Sequence, residues 1–411
     1  MTFDVASFFR SDLPAPAGRW NGFPRYNFIG GHNDADHVPI DKLADAAAAV
    51  LRREGKTLAT YRLESGPLGY IGLRELIAAK LKARAGMSDG ADDVLVTTGS
   101  LQALDLVNAA FLEPGDVVLV EADCYAGTLS RLRAAGAQVI GIELDDQGLR
   151  MDHLAAVLGD LKNKASRPKF LYTIPTVQNP TGSVLPCERR QEMLRLAAAY
   201  DFPIVEDDCY ADLLWEGERP PAIRALDDDG RVIYCGSFSK SIAPALRVGY
   251  IVADWPVLSR LVSLKNDAGS GSLEQMTLAE YDVDGFDDHV SGLQRRLKQK
   301  CDVMMSALDE HFGTAADFKA PKGGIFIWLT LPPSADTTSL AEAAAREGVT
   351  LNPGAEWSAD PDAGRRKLRL CFANPSEAII REGIAKLAEI CHRETGIPLR
   401  SANVERSGST S

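Results

Sequence analysis

The amino-acid sequence predicts an α/β fold, with a mostly parallel seven-stranded sheet between helices in a large domain and a smaller α+β domain after it. Between about residues 90 and 252, short runs rich in β-branched residues alternate with helical stretches. Such alternation favours a parallel sheet that helices cover on both faces. Past residue 285 the pattern changes to one long helical stretch and two separate strand-like runs. A chain of 411 residues suits two packed units of this kind.

Seven strands are predicted, in chain order, from the runs DVLVTTG, DVVLVEAD, AQVIGIEL, KFLYTIP, FPIVEDD, RVIYCGS and RVGYIVAD. The segments between them, such as LQALDLVNAAFL, carry apolar residues three and four apart, which is typical of amphipathic helices. The smaller domain is predicted from HVSGLQRRLKQKCDVMMSALDEHF, GGIFIWLTL and KLRLCFA. We expect residues 1–45 to form an N-terminal arm that belongs partly to the small domain and covers the pocket. The large domain is expected over 46–284, the small domain over 285–395, and a disordered tail over 396–411.

Composition and charge narrow the class of protein. Apolar residues make up 45% and charged residues 25% of the chain, and no apolar run approaches the roughly 20 residues of a membrane span. The net charge of −12 disfavours nucleic-acid binding. The seven cysteines form no C-x-x-C pair, which argues against a zinc site and against a disulfide framework. With no secretory leader evident, we expect a cytoplasmic protein whose partners are small molecules or a second copy of itself.

Polar side chains follow several of the predicted strands. Ser100 opens a helix after the first strand, and free amides at a helix N-terminus suit a phosphate, although Ser100 could equally be only an N-cap. Asp207 is the middle acid of EDD, so side-chain alternation points it away from its two neighbours. Asn179 lies in a turn and Tyr125 follows a strand, where it could belong to the core or cover a flat ligand. Lys240, in SFSKS, could alone be a solvated loop lysine.

These five positions fall at the carboxyl edge of one predicted sheet, where ligands of open α/β folds bind. Phosphate donors, an aromatic face, a carboxylate, an amide and an amine are together the set that pyridoxal phosphate requires. Its aldehyde takes a lysine, and its pyridine nitrogen takes an acidic partner. The sequence therefore predicts a pyridoxal phosphate site at this edge.

Seven motifs then carry a family resemblance: GYIGLRE, TTGSLQALDL, QNPTG, EDDCY, SFSKSIAPALRVGY, PKGGIFIW and KLRLCF. In their order and spacing the chain resembles the fold type I pyridoxal phosphate enzymes, and among them the class I/II aminotransferases. It is similar to the branch with aminoadipate and kynurenine aminotransferases and the aminotransferase-like half of MocR regulators. The resemblance covers about residues 25 to 395.

The resemblance implies a role for each matching residue. Lys240 would form the internal aldimine and move the proton, Asp207 would hold the pyridine nitrogen protonated, and Tyr210 would contact the ring oxygen together with Asn179. Arg369 would clamp the substrate α-carboxylate, assisted by Asn179 and Gly31. The other expected cofactor-binding residues are Gly99, Ser100, Leu101, Gln102, Tyr125, Ser237, Ser239, Arg247 and Tyr61, with Leu101 acting through its backbone amide. Tyr61 resembles a tyrosine that reaches the partner subunit's phosphate, which implies a homodimer with shared active sites.

The implied activity is transfer of an amino group from an α-amino acid to a 2-oxo acid. The same framework also supports elimination and racemisation, and a ligand-sensing domain is a further alternative. We also expect the polar segment from Gly30 to Pro39, with His32, Asn33 and Asp34, to line the side-chain pocket, the alternative being a solvated loop.

Overall fold

The computed structural model describes residues 5–9, 13, 16–62, 64–281 and 285–400. Its central feature is a seven-stranded sheet of β1 Val94–Thr97, β2 Val117–Glu121, β3 Gln138–Ile142, β4 Phe170–Thr173, β5 Ile204–Asp207, β6 Val232–Ser237 and β7 Gly249–Val252. The lateral order is β1-β7-β6-β5-β4-β2-β3. The five strands from β6 to β3 are parallel, and β7 is antiparallel to both β1 and β6. The predicted seven-stranded, mostly parallel sheet is confirmed.

Helices bury the sheet on both sides, and every residue of β1, β4, β5, β6 and β7 is therefore buried. The helices are α1 Ile40–Glu54, α2 Ile71–Ala85, α3 Gly99–Phe111, α4 Ala126–Ala134, α5 Met151–Asn163, α6 Cys187–Ala199, α7 Trp255–Leu264 and α8 Ser272–Tyr281. Three apolar clusters join them to the sheet. Leu73 of α2, Leu104 of α3 and Leu154 of α5 are representative members, each at most 4% exposed.

A second, smaller sheet follows, with β8 Asp317–Phe318, β9 Phe326–Thr330, β10 Asn352–Pro353 and β11 Lys367–Cys371. Its order is β8-β9-β11-β10 and every pair is antiparallel. The helices of this part are α9 Phe286–His311, α10 Thr337–Arg346, α11 Pro361–Gly364 and α12 Glu377–Thr395. Together they form the predicted smaller α+β unit.

The N-terminal arm packs on this smaller unit. Tyr26–Asn27 pairs in parallel with Val349–Thr350, and Phe28 is fully buried in the same apolar cluster as α9 and α12. Helix α9 itself contributes Phe286 to the cluster around α2 and Leu293 to the cluster around α12. The two cores therefore share one continuous helix, and the domain limits at residues 45, 284 and 395 remain predictions.

Other expectations concern the termini and the composition. Within the predicted tail, Ile397 is buried at 4% exposure, whereas 401–411 lie outside the described residues. All seven cysteines are free. Among the described residues, no helix has both the length and the apolar character needed to cross a membrane.

Candidate active site

A cavity of about 350 Å³ lies where the carboxyl ends of the parallel strands meet the smaller unit. The predicted site residues that line it are Gly31, Ser100, Leu101, Tyr125, Asn179, Asp207, Tyr210, Ser237, Ser239, Lys240, Arg247 and Arg369. They come from five separate segments of the sheet edge, from the N-terminal arm and from β11. Strand order therefore brings together residues up to 338 positions apart, as Gly31 and Arg369 show.

Lys240 follows β6 and directs its amine into this cavity. Its Nζ donates to the Gly31 carbonyl at 2.7 Å and lies 5.7 Å from the centre of the Tyr210 ring. Burial lowers the pKa of the Lys240 amine, and the nearby Arg369 and Arg247 charges act in the same direction. A methyl group on Gly31 would lie 2.5 Å from this Nζ, so alanine there would displace the Lys240 amine from its present position. A lysine with a lowered pKa is neutral more often, which suits a nucleophile or a proton carrier.

Asp207 ends β5, and it lines the cavity while the acids on either side do not. Its Oδ2 accepts from the Tyr172 hydroxyl at 2.7 Å, and its Oδ1 accepts from the Cys209 amide. Glu206 instead accepts two backbone amides, and Asp208 pairs with Arg219 at 2.6 Å. The strand alternation thus separates one cavity carboxylate from two structural ones. Burial raises the pKa of Asp207, which makes an adjacent cation favourable.

The N-terminus of α3 forms one end of the cavity. Gly99 has φ +75°, and a Cβ there would overlap the Arg247 guanidinium, which reaches across to the Thr98 carbonyl. Gly249 allows an equally close approach, because its Cβ would lie 2.6 Å from the Ser100 amide nitrogen. Ser237 and Ser239 line the same end. Free helix amides, hydroxyls and an arginine are the donors that a phosphate dianion needs, so these residues fit that group.

Tyr125, Tyr210 and Asn179 shape the middle of the cavity. Tyr125 precedes α4, and its ring centre is 5.7 Å from that of Trp357. The Asn179 amide donates to the Tyr210 hydroxyl at 3.4 Å, and Tyr210 packs edge-on against Phe326. A flat ring would therefore find an aromatic side chain and two polar groups in one place.

Arg369 projects from β11, and its side chain is held on three sides. It donates to the Asn179 Oδ1 at 3.1 Å, to the Gly30 carbonyl at 2.7 Å and to the Asn352 Oδ1 at 2.9 Å. Its Cζ lies 3.8 Å from the centre of the Trp357 ring. The Nε is buried without a hydrogen-bond partner in the part of the chain that the structure describes. A fixed guanidinium with an unsatisfied donor is suited to a carboxylate.

Three predicted residues do not line the cavity. Gly99 acts through its backbone, as described above. The Gln102 side chain is held elsewhere, since its Oε1 accepts the Thr98 amide and its Nε2 donates to Asp267 at 2.7 Å. Tyr61 is 85% exposed and lies outside the cavity of this chain.

The hypothesis that Asn33 and Asp34 line the pocket is wrong. Asn33 donates to the Ile242 carbonyl at 3.3 Å, and Asp34 forms an ion pair with Lys300 at 2.7 Å. Both residues are buried because they anchor the arm, and only the preceding Gly30 and Gly31 reach the lining. His32 does not line the cavity either, and the centre of its ring lies 5.2 Å from that of Phe23.

Several lining or supporting residues escaped the sequence-based prediction. They are Tyr172, Asn352, Glu356 and Trp357. Tyr172 lies inside a buried strand, where a tyrosine is typical of the core. The other three positions belong to short elements of the smaller unit, and the βα pattern gives no reason to place them at the sheet edge. The sequence signal nearest to these positions is the Pro-Gly pair in NPGAEW, residues 352–357, which is typical of a turn.

Several known proteins are similar to this chain in fold and in sequence. Residues 31–387 match the family model described as aminotransferase class I and II. The chain is 34% identical over 371 residues to aromatic-amino-acid aminotransferase 1 of Thermococcus litoralis, which covers 90% of this chain and 88% of the relative. It is 35% identical over 366 residues to 2-aminoadipate transaminase of Thermus thermophilus, with 88% of each covered. The crystal structure of Pyrococcus horikoshii kynurenine aminotransferase has a TM-score of 0.87 and 33% identity, covering 95% of this chain and 98% of that one.

The chain therefore belongs to the class I and II aminotransferase family. The resemblance found in the seven sequence motifs is confirmed, and amino-group transfer is the activity that these relatives support.

Proposed function

We propose that this protein is a pyridoxal 5'-phosphate-dependent aminotransferase (EC 2.6.1.-) in which Lys240 is the cofactor-bearing amine. One observation carries the proposal: the buried Lys240 amine, the Asp207 carboxylate and the Arg369 guanidinium line a single cavity. The Pyrococcus horikoshii relative was solved in complex with PMP. The donor set at the start of α3 fits the phosphate of such a group, and Asp207 fits its ring nitrogen.

When bound, pyridoxal phosphate supplies an aldehyde for the substrate's amino group and a ring that accepts the electron pair left at Cα. Arg369 orients the substrate by binding its α-carboxylate through two parallel donors. Lys240 would remove the Cα proton, and burial, which lowers the pKa of its amine, favours the neutral form that this step needs. Asp207 would keep a proton on the ring nitrogen, and Tyr210 and Asn179 would donate to the ring oxygen.

Ser100, Ser237, Ser239 and Arg247 hold the phosphate together with the amides of Gly99, Leu101 and Gln102. This assignment differs from the sequence-based one in the use of Gln102, whose side chain already pairs with Asp267. Each charge-assisted hydrogen bond to the phosphate is worth roughly 1.5–3 kcal/mol. These residues would thus retain the cofactor while Lys240 is free to move protons.

We further infer a homodimer in the cytoplasm, with α-amino acids and 2-oxo acids as substrates. The exposure of Tyr61 supports its use by a second chain, and seven free cysteines suit a reducing compartment. Sedimentation equilibrium of the holoenzyme tests the dimer, because a monomer at micromolar concentration would contradict shared active sites.

The activity is tested by adding amino acids one at a time to the cofactor-loaded protein and recording its absorption spectrum. We expect a spectral change with some amino acids, which a 2-oxo acid reverses. Lys322→Ala, at an exposed lysine outside this cavity, is the matched control and should behave like the wild type. Release of ammonia, or appearance of the opposite enantiomer, without reversal by a 2-oxo acid would assign a lyase or racemase instead.

A further inference from the structure

Five charged side chains line the cavity, and four of them have partners within the protein. Asp207 accepts from Tyr172, and the other three, Lys240, Arg247 and Arg369, donate to carbonyl or amide oxygens. The same four are the groups that the proposed function assigns to the cofactor and to the α-carboxylate. The fifth charged group is Glu356.

Glu356 has no hydrogen bond and no ion pair to any residue in the described ranges. Its side chain stays accessible to solvent at the rim of the cavity. Partial burial raises the pKa of this carboxyl group, and no cation nearby lowers it. The carboxylate is hydrated in this exposed position, and it is free to exchange water for a cationic group of a ligand.

The backbone holds Glu356 in a fixed place beside the carboxylate clamp. It lies in the short helical turn Gly354–Trp357, which begins directly after β10. Asn352 of β10 accepts from Arg369, and Trp357 stacks on the same guanidinium. A Cβ at Gly354 would lie 2.5 Å from two backbone carbonyl oxygens, so this turn is packed tightly against the chain near Lys367. Glu356 therefore lines the same cavity as the Arg369 guanidinium, one residue before the tryptophan that stacks on it.

The charges of the lining also disfavour one class of side chain. Once Arg369 binds the α-carboxylate, Arg247 the phosphate and Lys240 the cofactor, the described lining of this chain offers no further cation to a side-chain carboxylate. Such a group would instead meet the Glu356 carboxylate, and like charges at close range repel. A side-chain ammonium or guanidinium would gain a charge-assisted hydrogen bond there.

We propose that Glu356 determines substrate choice by binding the cationic side chain of a basic α-amino acid donor. This inference rests on the proposed aminotransferase function and names its substrate class. Glu356 contacts the substrate, and it takes no part in proton transfer or in cofactor binding.

The test compares matched amino acids on the cofactor-loaded protein and its Glu356→Gln variant. L-Lysine is paired with L-norleucine, and L-ornithine with L-norvaline, because each pair differs by the terminal ammonium group. Glu389→Gln is the control, since it removes an equal charge from an exposed position on α12. Glu356→Asp keeps the charge and tests rescue.

We expect Glu356→Gln to lower kcat/KM for lysine relative to norleucine by about tenfold, mainly through KM. The same variant should improve L-glutamate relative to L-glutamine, and Glu356→Asp should recover part of the lysine preference. An unchanged lysine-to-norleucine ratio, an equal loss for both members of a pair, or the same shift in Glu389→Gln would overturn the inference and leave the aminotransferase intact. Failure of the wild type to respond to any amino acid would overturn both.

Discussion

The buried ion pair between Asp34 and Lys300 yields the sharpest prediction about how the arm supports the site. The two groups are 2.7 Å apart, with side chains only 3% and 2% exposed, and Arg296 adds a second cation at 3.2 Å. Lys300 also donates to the Ala373 carbonyl. Asp34 lies three residues after Gly31, whose carbonyl accepts from Lys240. Removing the Asp34 charge should therefore affect both stability and the site.

We predict that Asp34→Asn lowers the free energy of unfolding by about 3 kcal/mol, because it leaves a buried ammonium without its counter-charge. The KM for the amino donor should rise at the same time, since Gly30 and Gly31 lose their anchor. Urea unfolding of the holoenzyme and steady-state kinetics measure the two effects. The double variant Asp34→Asn/Lys300→Met should regain part of the stability, as no unpaired charge remains.

An exposed pair on the same helix supplies the control. Lys298 and Asp302 are also 2.7 Å apart, but their side chains are 46% and 49% exposed. Asp302→Asn should change the free energy of unfolding by no more than about 0.5 kcal/mol. If Asp34→Asn behaves like Asp302→Asn in both stability and KM, the argument from burial is refuted.

The stabilising effect of Asp34 should also depend on pH in a defined direction. Burial alone would raise its pKa, but hydrogen bonds and charge attraction from Lys300 outweigh burial, and the pKa lies below its usual 3.8. A carboxyl group with a depressed folded-state pKa stabilises fully above the unfolded value and loses that effect as pH falls through the folded one. The difference between wild type and Asp34→Asn should therefore be constant above pH 5 and shrink below 3.8.

Two further predictions concern the cavity, and a third concerns Glu121, a buried carboxyl group at the end of β2. Gly31→Ala places a methyl group 2.5 Å from the Lys240 Nζ, so single-turnover rates should fall about a hundredfold, whereas Gly18→Ala, with open space around it, should be neutral. Equal rates in both variants would refute this steric argument. Arg369→Lys loses the two-pronged donor and should raise the KM for amino donors by roughly ten- to a hundredfold; a fall in kcat at unchanged KM would contradict the assigned role. Burial raises the pKa of Glu121 to about 7, so its stabilising effect is present below 4.5 and lost as pH rises to about 7. In Glu121→Gln, the free energy of unfolding should fall less steeply with pH across that range, by up to about 1.4 kcal/mol per pH unit. If denaturation at several pH values gives the same slope for the variant and the wild type, the prediction is wrong.

The sheet was predictable from sequence because its strands are buried on both faces and read as apolar β-branched runs. The short strand β10 was not, since Asn352–Pro353 carries no strand pattern and pairs only because β11 lies beside it. The same reason explains why Asn352 and Glu356 escaped prediction as lining residues. Their positions depend on packing between distant segments rather than on local periodicity.

The polar residues of the N-terminal arm show a second reason why prediction from sequence fails. Sequence alone offered two interpretations of Asp34, a pocket wall or a solvated loop, and both treat it as accessible. The structure buries it against Lys300 of α9. A buried ion pair between two segments 266 positions apart produces no recognisable pattern in the sequence of either segment. Asp207, by contrast, was predictable, because alternation along a single strand fixes which side chain faces the cavity.

The proposed function depends most directly on the covalent attachment of pyridoxal phosphate to Lys240. Borohydride reduction of the cofactor-loaded protein, followed by proteolysis and mass spectrometry, measures it. We predict a reduced phosphopyridoxyl group on the peptide that contains Lys240, no such group in Lys240→Ala, and normal labelling in Lys322→Ala. Labelling of another lysine, or equal labelling with Lys240 removed, would contradict the central claim.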